Sequence, residues 1–138
     1  MISIKKSLKE IADKIPSIST STISGTIGPC EWFTIDLKNN IVIMFGVAIS
    51  TGAYNLTNYG AIAYYPSPMK YKLPVRVDNG KTAAYVSIDS SGADFAGQIR
   101  VTTDTSYSEL TYYHLNSVAY TPAAGGNRHR FLVIGYKV

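Results

Sequence analysis

The chain reads as an all-β protein, an antiparallel β-sandwich or jelly-roll-like head preceded by a short N-terminal α-helix. Three observations predict this. Beyond Pro16 the apolar residues alternate with a period of two in short runs, as half-buried strands require. Clusters of Gly, Pro, Asn, Asp and Ser separate these runs at regular spacing, which suits a sandwich. Before Pro16 the texture differs: Ile4, Leu8, Ile11, Ile15 and Ile18 recur alternately four and three apart, the rhythm of a coiled-coil seam.

The helix is expected over residues 3–15, with Ser3 as N-cap and Lys14 favouring the C-terminal end of the dipole. Pro16 stops it by removing a backbone donor and crowding the preceding turn. A helix this short is marginal alone in water, so it packs on its own β-domain or on copies of itself. Leu8 and Ile15 at one heptad position, with Ile4, Ile11 and Ile18 at the other, favour higher-order bundles over dimers. The expected organisation is an oligomerisation helix over residues 1–16, with Ile4, Leu8, Ile11 and Ile15 as its seam, and a β-sandwich head over 17–138.

A first strand follows through Ile23, then turns at Gly25 and Gly28-Pro29. In the next run Phe33, Ile35 and Leu37 are expected inward, with Trp32, Thr34 and Asp36 on the other face. Lys38-Asn39-Asn40 makes a tight turn, since Asn tolerates the left-handed conformation. Residues 41–50 are apolar on both faces: Ile41, Ile43, Phe45, Val47 and Ile49 on one, Val42, Met44, Gly46 and Ala48 on the other. A strand of this kind is buried on both sides, so its second face calls for another layer or a neighbouring subunit. Gly52 to Gly60 is a polar loop, and Ala61 to Tyr65 a short strand. Asp78-Asn79-Gly80-Lys81 is expected to turn a hairpin between runs 73–77 and 82–88. Ser90-Ser91-Gly92 is a further turn, Ile99 and Val101 point inward from the next strand, and residues 109–120 form one or two more. A loop over 122–127 and an apolar strand from Phe131 to Val138 close the chain.

Composition narrows the function. Of 138 residues 46% are hydrophobic and 16% charged, a globular chain poor in surface charge. The net charge of +4 is modest, and Lys5, Lys6, Lys9 and Lys14 sit on the helix, leaving the head nearly neutral. Nucleic-acid binders concentrate basic residues on one face, so nucleic acid is an unlikely partner. The single cysteine, Cys30, excludes an intrachain disulfide and reads as a buried thiol. No signal peptide or membrane span is expected: the longest apolar run, 41–49, is too short to cross a bilayer.

Catalysis finds little support. His114 and His129 are the only histidines, neither stands in a recognisable arrangement with Ser, Cys or paired carboxylates, and His129 between Arg128 and Arg130 reads as a solvated strand entry. Ligand spacing for a metal is missing, and no cofactor motif occurs. The expectation is a non-enzymatic protein with neither metal nor cofactor.

The eleven tyrosines carry more weight. Tyr54, Tyr59, Tyr64, Tyr65, Tyr107, Tyr112 and Tyr113 fall in or beside loops. Tyrosine offers a flat apolar face and a hydroxyl at low entropic cost, the pairing a saccharide needs, with Asn55, Asn58, Asp89, Asp94, Asp104 and Asn127 as polar partners. The residues expected to contact ligand are Tyr64, Tyr65, Tyr112, Tyr113, Asp94 and Asn127.

Four segments carry a family likeness: the helix over 7–15 running into Pro16, Cys30-Glu31-Trp32-Phe33-Thr34-Ile35, Asn40-Ile41-Val42-Ile43-Met44-Phe45-Gly46, and Phe131-Leu132-Val133-Ile134-Gly135-Tyr136-Lys137-Val138. In this pattern the chain resembles the terminal receptor-binding or head domains of bacteriophage tail and fibre proteins. The resemblance implies a homotrimeric virion component, made in the host cytoplasm, whose heads contact the bacterial surface, often a saccharide. It transfers no individual residue role. The competing expectations are a capsid decoration or tail component with no ligand, a single-strand nucleic-acid-binding β-barrel, and a glycosidase with two carboxylates facing across a cleft.

Overall fold

The computed structural model describes residues 3–89, 94–102 and 108–138. Helix α1 (Ile4–Ala12) leads into strands β1 (Ser17–Ser24), β2 (Pro29–Asp36), β3 (Ile41–Ile49), β4 (Thr57–Tyr59), β5 (Ile62–Tyr64), β6 (Met69–Lys72), β7 (Val77–Asp89), β8 (Phe95–Thr102), β9 (Glu109–Asn116) and β10 (Arg128–Lys137). Strands β1, β2, β3, β10 and β7, in that spatial order, form one antiparallel sheet. In the second, β9 pairs antiparallel with β5, β6 and β8, and β4 extends it beside β5. The fold is an all-β sandwich.

Helix α1 is shorter than its apolar repeat. After Ala12 the backbone tightens, Lys14 N–H donating to the Ile11 carbonyl and Ile15 N–H to that of Ala12, a 3₁₀-type ending before Pro16. Ser3 is extended and makes no side-chain capping bond. None of the helix is buried on the sandwich: Ile4, Leu8, Ile11, Ile15 and the following Ile18 are 57–77% exposed. Docking on its own β-domain is therefore not how this helix finds a partner.

The interior is aromatic. Trp32 stacks on Phe131 (centroids 5.6 Å apart, planes at 24°), and Tyr71 and Tyr112 lie 4.9 and 5.6 Å from the same ring. Offset and tilted contacts at these distances add to area burial. The inward face of β2 is thus Cys30, Trp32 and Thr34, whereas Phe33 is 40% exposed, the reverse of the alternation expected from sequence. Both faces of β2 are apolar, so periodicity leaves the choice to volume, and Trp32 fits only where its register partner is Gly46. A Cβ on Gly46 would lie 2.8 Å from both Cys30 Sγ and the indole. Gly46→Ala is expected to cost about 2 kcal/mol through overpacking. A urea midpoint unchanged from wild type would contradict that contact. Burial pushes the Cys30 thiol up to about 12, so it stays a protonated core group.

The expected hairpin at Asp78-Asn79-Gly80-Lys81 is absent; β7 runs straight through it. The pairing with β10 slips there, from Thr82 opposite Gly135 to Val77 opposite Lys137, so the extra residues form a bulge. Asp78 Oδ1 accepts from Gly80 N–H at 2.8 Å and the Asp78 carbonyl accepts from the Thr82 hydroxyl. Asn79-Gly80 here lies in the bulge of a strand that β10 pairs on both sides of it. The turn at Lys38-Asn39-Asn40 does form, with Lys38 and Asn40 at positive φ and Asn39 Oδ1 accepting from Ile41 N–H. The turn at Ser90-Ser91-Gly92 lies outside the described residues, as do the side chains of Ile99 and Val101 on β8.

Candidate functional site

Strand period places Leu110, Tyr112, His114 and Asn116 on the inward face of β9, and Asn127, His129, Phe131 and Val133 on that of β10. The apolar members fill the core. The polar ones meet Tyr54 from the β3–β4 loop, Tyr120 from the β9–β10 loop and Asp94 from just before β8, forming one hydrogen-bonded network at an end of the sandwich.

Tyr54 is its hub. Its hydroxyl lies 2.9 Å from His114 Nδ1 and 3.3 Å from His129 Nε2, and accepts from Asn127 Nδ2 at 3.2 Å. His129 Nδ1 meets the Tyr112 hydroxyl. His114 Nε2 is 3.0 Å from Asp94 Oδ1, an electrostatic contact bent away from hydrogen-bond alignment. Asp94 also accepts from Asn116 Nδ2 and the Tyr120 hydroxyl, and Asn127 Nδ2 donates to Tyr120 at 3.0 Å.

One proton assignment serves every group. An ionised Asp94 faces N–H at His114 Nε2, and His114 Nδ1 accepts the Tyr54 proton. The Tyr54 oxygen accepts from His129 Nε2–H, and His129 Nδ1 accepts the Tyr112 proton. Both imidazoles are then neutral, with tautomers assigned from their partners. Burial drives this: it holds His114 below its ordinary 6.5 despite Asp94, and takes His129, with His114 beside it, down to about 3. Burial also raises the Tyr54 and Tyr112 hydroxyls above their ordinary 10, so both are protonated at neutral pH. Each of these hydroxyls and imidazoles has a protein neighbour, and the network ties the β3–β4 and β9–β10 loops to strands β9 and β10. Tyr54→Phe is expected to cost about 2 kcal/mol by leaving buried His114 Nδ1 and His129 Nε2 without their shared partner. Equal thermal midpoints for variant and wild type would contradict the network.

Several site expectations need correction. His129 is wholly buried, not a solvated strand entry, because its side chain follows the inward phase of Phe131. Tyr112, Asn127 and the Asp94 side chain are enclosed as well, so they present nothing directly to an external ligand. Tyr65 is half-buried and meets Tyr54 edge-on (5.5 Å, 86°). Tyr64 is half-buried on β5, edge-on to the exposed Tyr59, and Tyr113 takes the face of β9 opposite Tyr112. Tyr107 and Asp104 lie outside the described residues. The network brings together Tyr112, Asp94 and Asn127, and it was legible only in the phase of Tyr112-x-His114-x-Asn116 and Asn127-x-His129 with their apolar neighbours.

Two surfaces adjoin this interior. The network backs an open cleft of about 430 Å³ between the β1–β2 turn and the β3–β4 loop, lined by residues 24–29, 51–54 and Tyr65. On the opposite face of the other sheet, cross-strand register aligns Thr20, Phe33, Phe45, Leu132 and Tyr85 in one row. Ile18, Ile35, Ile43, Ile134 and Ala83 form the next. Phe45 is 44% and Tyr85 60% exposed, so the two rows make a contiguous apolar face.

Among the described residues no group of three or more His, Cys, Asp or Glu is arranged to hold a metal, and no helix is long and apolar enough to cross a membrane. Compared with family models, curated proteins and solved structures, the chain matches none.

Proposed function

We propose that this chain is a non-enzymatic structural protein of a phage particle. Its β-sandwich head works as a homo-oligomer, a homotrimer in the first instance, and adheres to a bacterial surface saccharide. The observation that carries the reading is the unpartnered apolar surface. Among the described residues the apolar stripe of α1 (Ile4, Leu8, Ile11) and the outer sheet face both lack a partner within the chain, and the exposed Ile15 and Ile18, which follow the helix, continue that apolar surface onto β1. Copies of the chain would cover the two together, the helix setting register and the sheet supplying area. The Leu/Ile alternation of the seam favours three or four strands. The hydroxyls and imidazoles of the network are engaged with one another, which favours a binding role over a catalytic one, and the phage-head resemblance supplies the setting. An oligomer presents several heads at once, so weak contacts to a repeating glycan sum to firm attachment.

Retention on immobilised bacterial surface polysaccharides, neutral and acidic, tests the adhesive part. The native assembly is expected to be retained by at least one, with Leu8→Glu plus Ile11→Glu lowering retention at least tenfold through lost avidity. Both residues are exposed in the chain, so the head keeps its fold. Retention on none of the panel would contradict adhesion.

A further inference from the structure

We propose that the cleft beside Tyr54 and Tyr65 is the seat of a neutral saccharide, an assignment that rests on the adhesive reading. Its volume, about 430 Å³, falls within the range of small-molecule sites, roughly 300–1,000 Å³. Its lining selects the chemistry. Ser24, Thr26 and Thr51 place hydroxyl oxygens in the lining, that of Thr26 also bonded to the Lys70 backbone and that of Thr51 to the Ile27 carbonyl, and among the described residues no Asp, Glu, Lys, Arg or His lines it. The N–H groups of Gly52 and Ala53 make no backbone hydrogen bond among the described residues, so they are free to meet ligand oxygens. Two tyrosine rings at right angles provide apolar surface for a sugar's C–H face. A nucleotide would also stack on these rings, but its phosphates would meet no cation here. An apolar ligand would strand the polar rim.

The cleft is also preorganised, which limits the ordering cost of binding. Tyr54 is held by His114, His129 and Asn127, so the enclosed residues expected to touch ligand act through this ring as positioning groups. Glycines bring backbone close on the other side. Gly28 has φ +150° and a Cβ there would lie 2.6 Å from the Ile49 carbonyl; one on Gly25 would strike the Tyr71 ring. Gly52 is different: a Cβ there meets nothing within 4 Å, so a side chain added at this lip occupies the mouth without disturbing the fold.

The unsubstituted 138-residue chain, Gly52→Trp and Tyr65→Ala are compared on dextran, galactan, rhamnan, β-1,4-linked N-acetylglucosamine chains and an acidic capsular polysaccharide, with circular dichroism and solution mass as checks. At least one neutral polymer is expected to retain the wild type. Gly52→Trp should lower that retention at least tenfold, Tyr65→Ala severalfold, both with unchanged mass and spectrum. Equal retention of wild type and Gly52→Trp overturns the cleft and leaves adhesion standing. Retention by the acidic polymer alone overturns the neutral assignment. Retention by no polymer overturns the adhesive reading, and the cleft with it.

Discussion

Taking the protein from pH 7 to pH 4.5 should destabilise it by about 3 kcal/mol, with most of the loss from His129. The sign follows from the neutral form being the one enclosed. His129 titrates at about 3 in the folded chain against an ordinary 6.5, so below 6.5 the unfolded chain takes up a proton that the folded chain refuses. Stability is complete above 6.5 and erodes steadily as pH falls towards 3. Each pH unit in that window costs about 1.4 kcal/mol for one such group, and two units give close to 3. His114, also held low by burial, adds in the same direction. Asp36, held below its ordinary 3.8 by Lys137, adds to the slope only at lower pH. Urea midpoints across pH 4.5–7 read this directly, and a flat profile would mean that the imidazoles are not enclosed as neutral groups. The first region to open should be the end of the sandwich that Tyr54, His114 and His129 tie together.

Phe45→Lys combined with Leu132→Lys should dissociate the assembly while leaving each head folded. The two are register partners on the outer sheet face, and both remain partly exposed in the single chain, so lysines there reach solvent without entering the core. In an assembly that covers this face they would place charge in an apolar contact. An apolar side chain fully buried is worth about 1.5–3 kcal/mol. Losing two from every subunit weakens association on the order of a hundredfold or more. Sedimentation should show a single-chain mass with an unchanged near-ultraviolet spectrum. An unchanged oligomer would move the interface off this face.

The sandwich was legible because strand period and turn chemistry agree along most of the chain, and the helix because its apolar repeat is regular, although its α-helical part closes at Ala12, before Pro16. Legibility failed where a local signal had two structural solutions. On β2 both faces are apolar, and the space at Gly46, a residue of the next strand, decided that Trp32 goes inside. At Asp78-Asn79-Gly80-Lys81 a strong turn signal became a bulge because β10 supplies a partner strand on both sides of it. The candidate site was hidden for a related reason. Tyr112, His114, Asn116, Asn127 and His129 are polar residues, which composition assigns to the surface, yet they share the phase of Leu110 and Phe131. Only a fold that joins four segments shows that each hydroxyl and imidazole finds a partner inside. Tyr54 stood out as a loop tyrosine, but its role as hub depends on residues sixty or more positions away.

In the proposed assembly the bare apolar stripe of α1 and the apolar sheet face are covered by copies of this chain. Sedimentation equilibrium of the full chain at micromolar concentration tests it most directly. The expected result is a mass of three chains of 15.0 kDa, independent of loading concentration over a tenfold range. A single species of 15.0 kDa would contradict the claim.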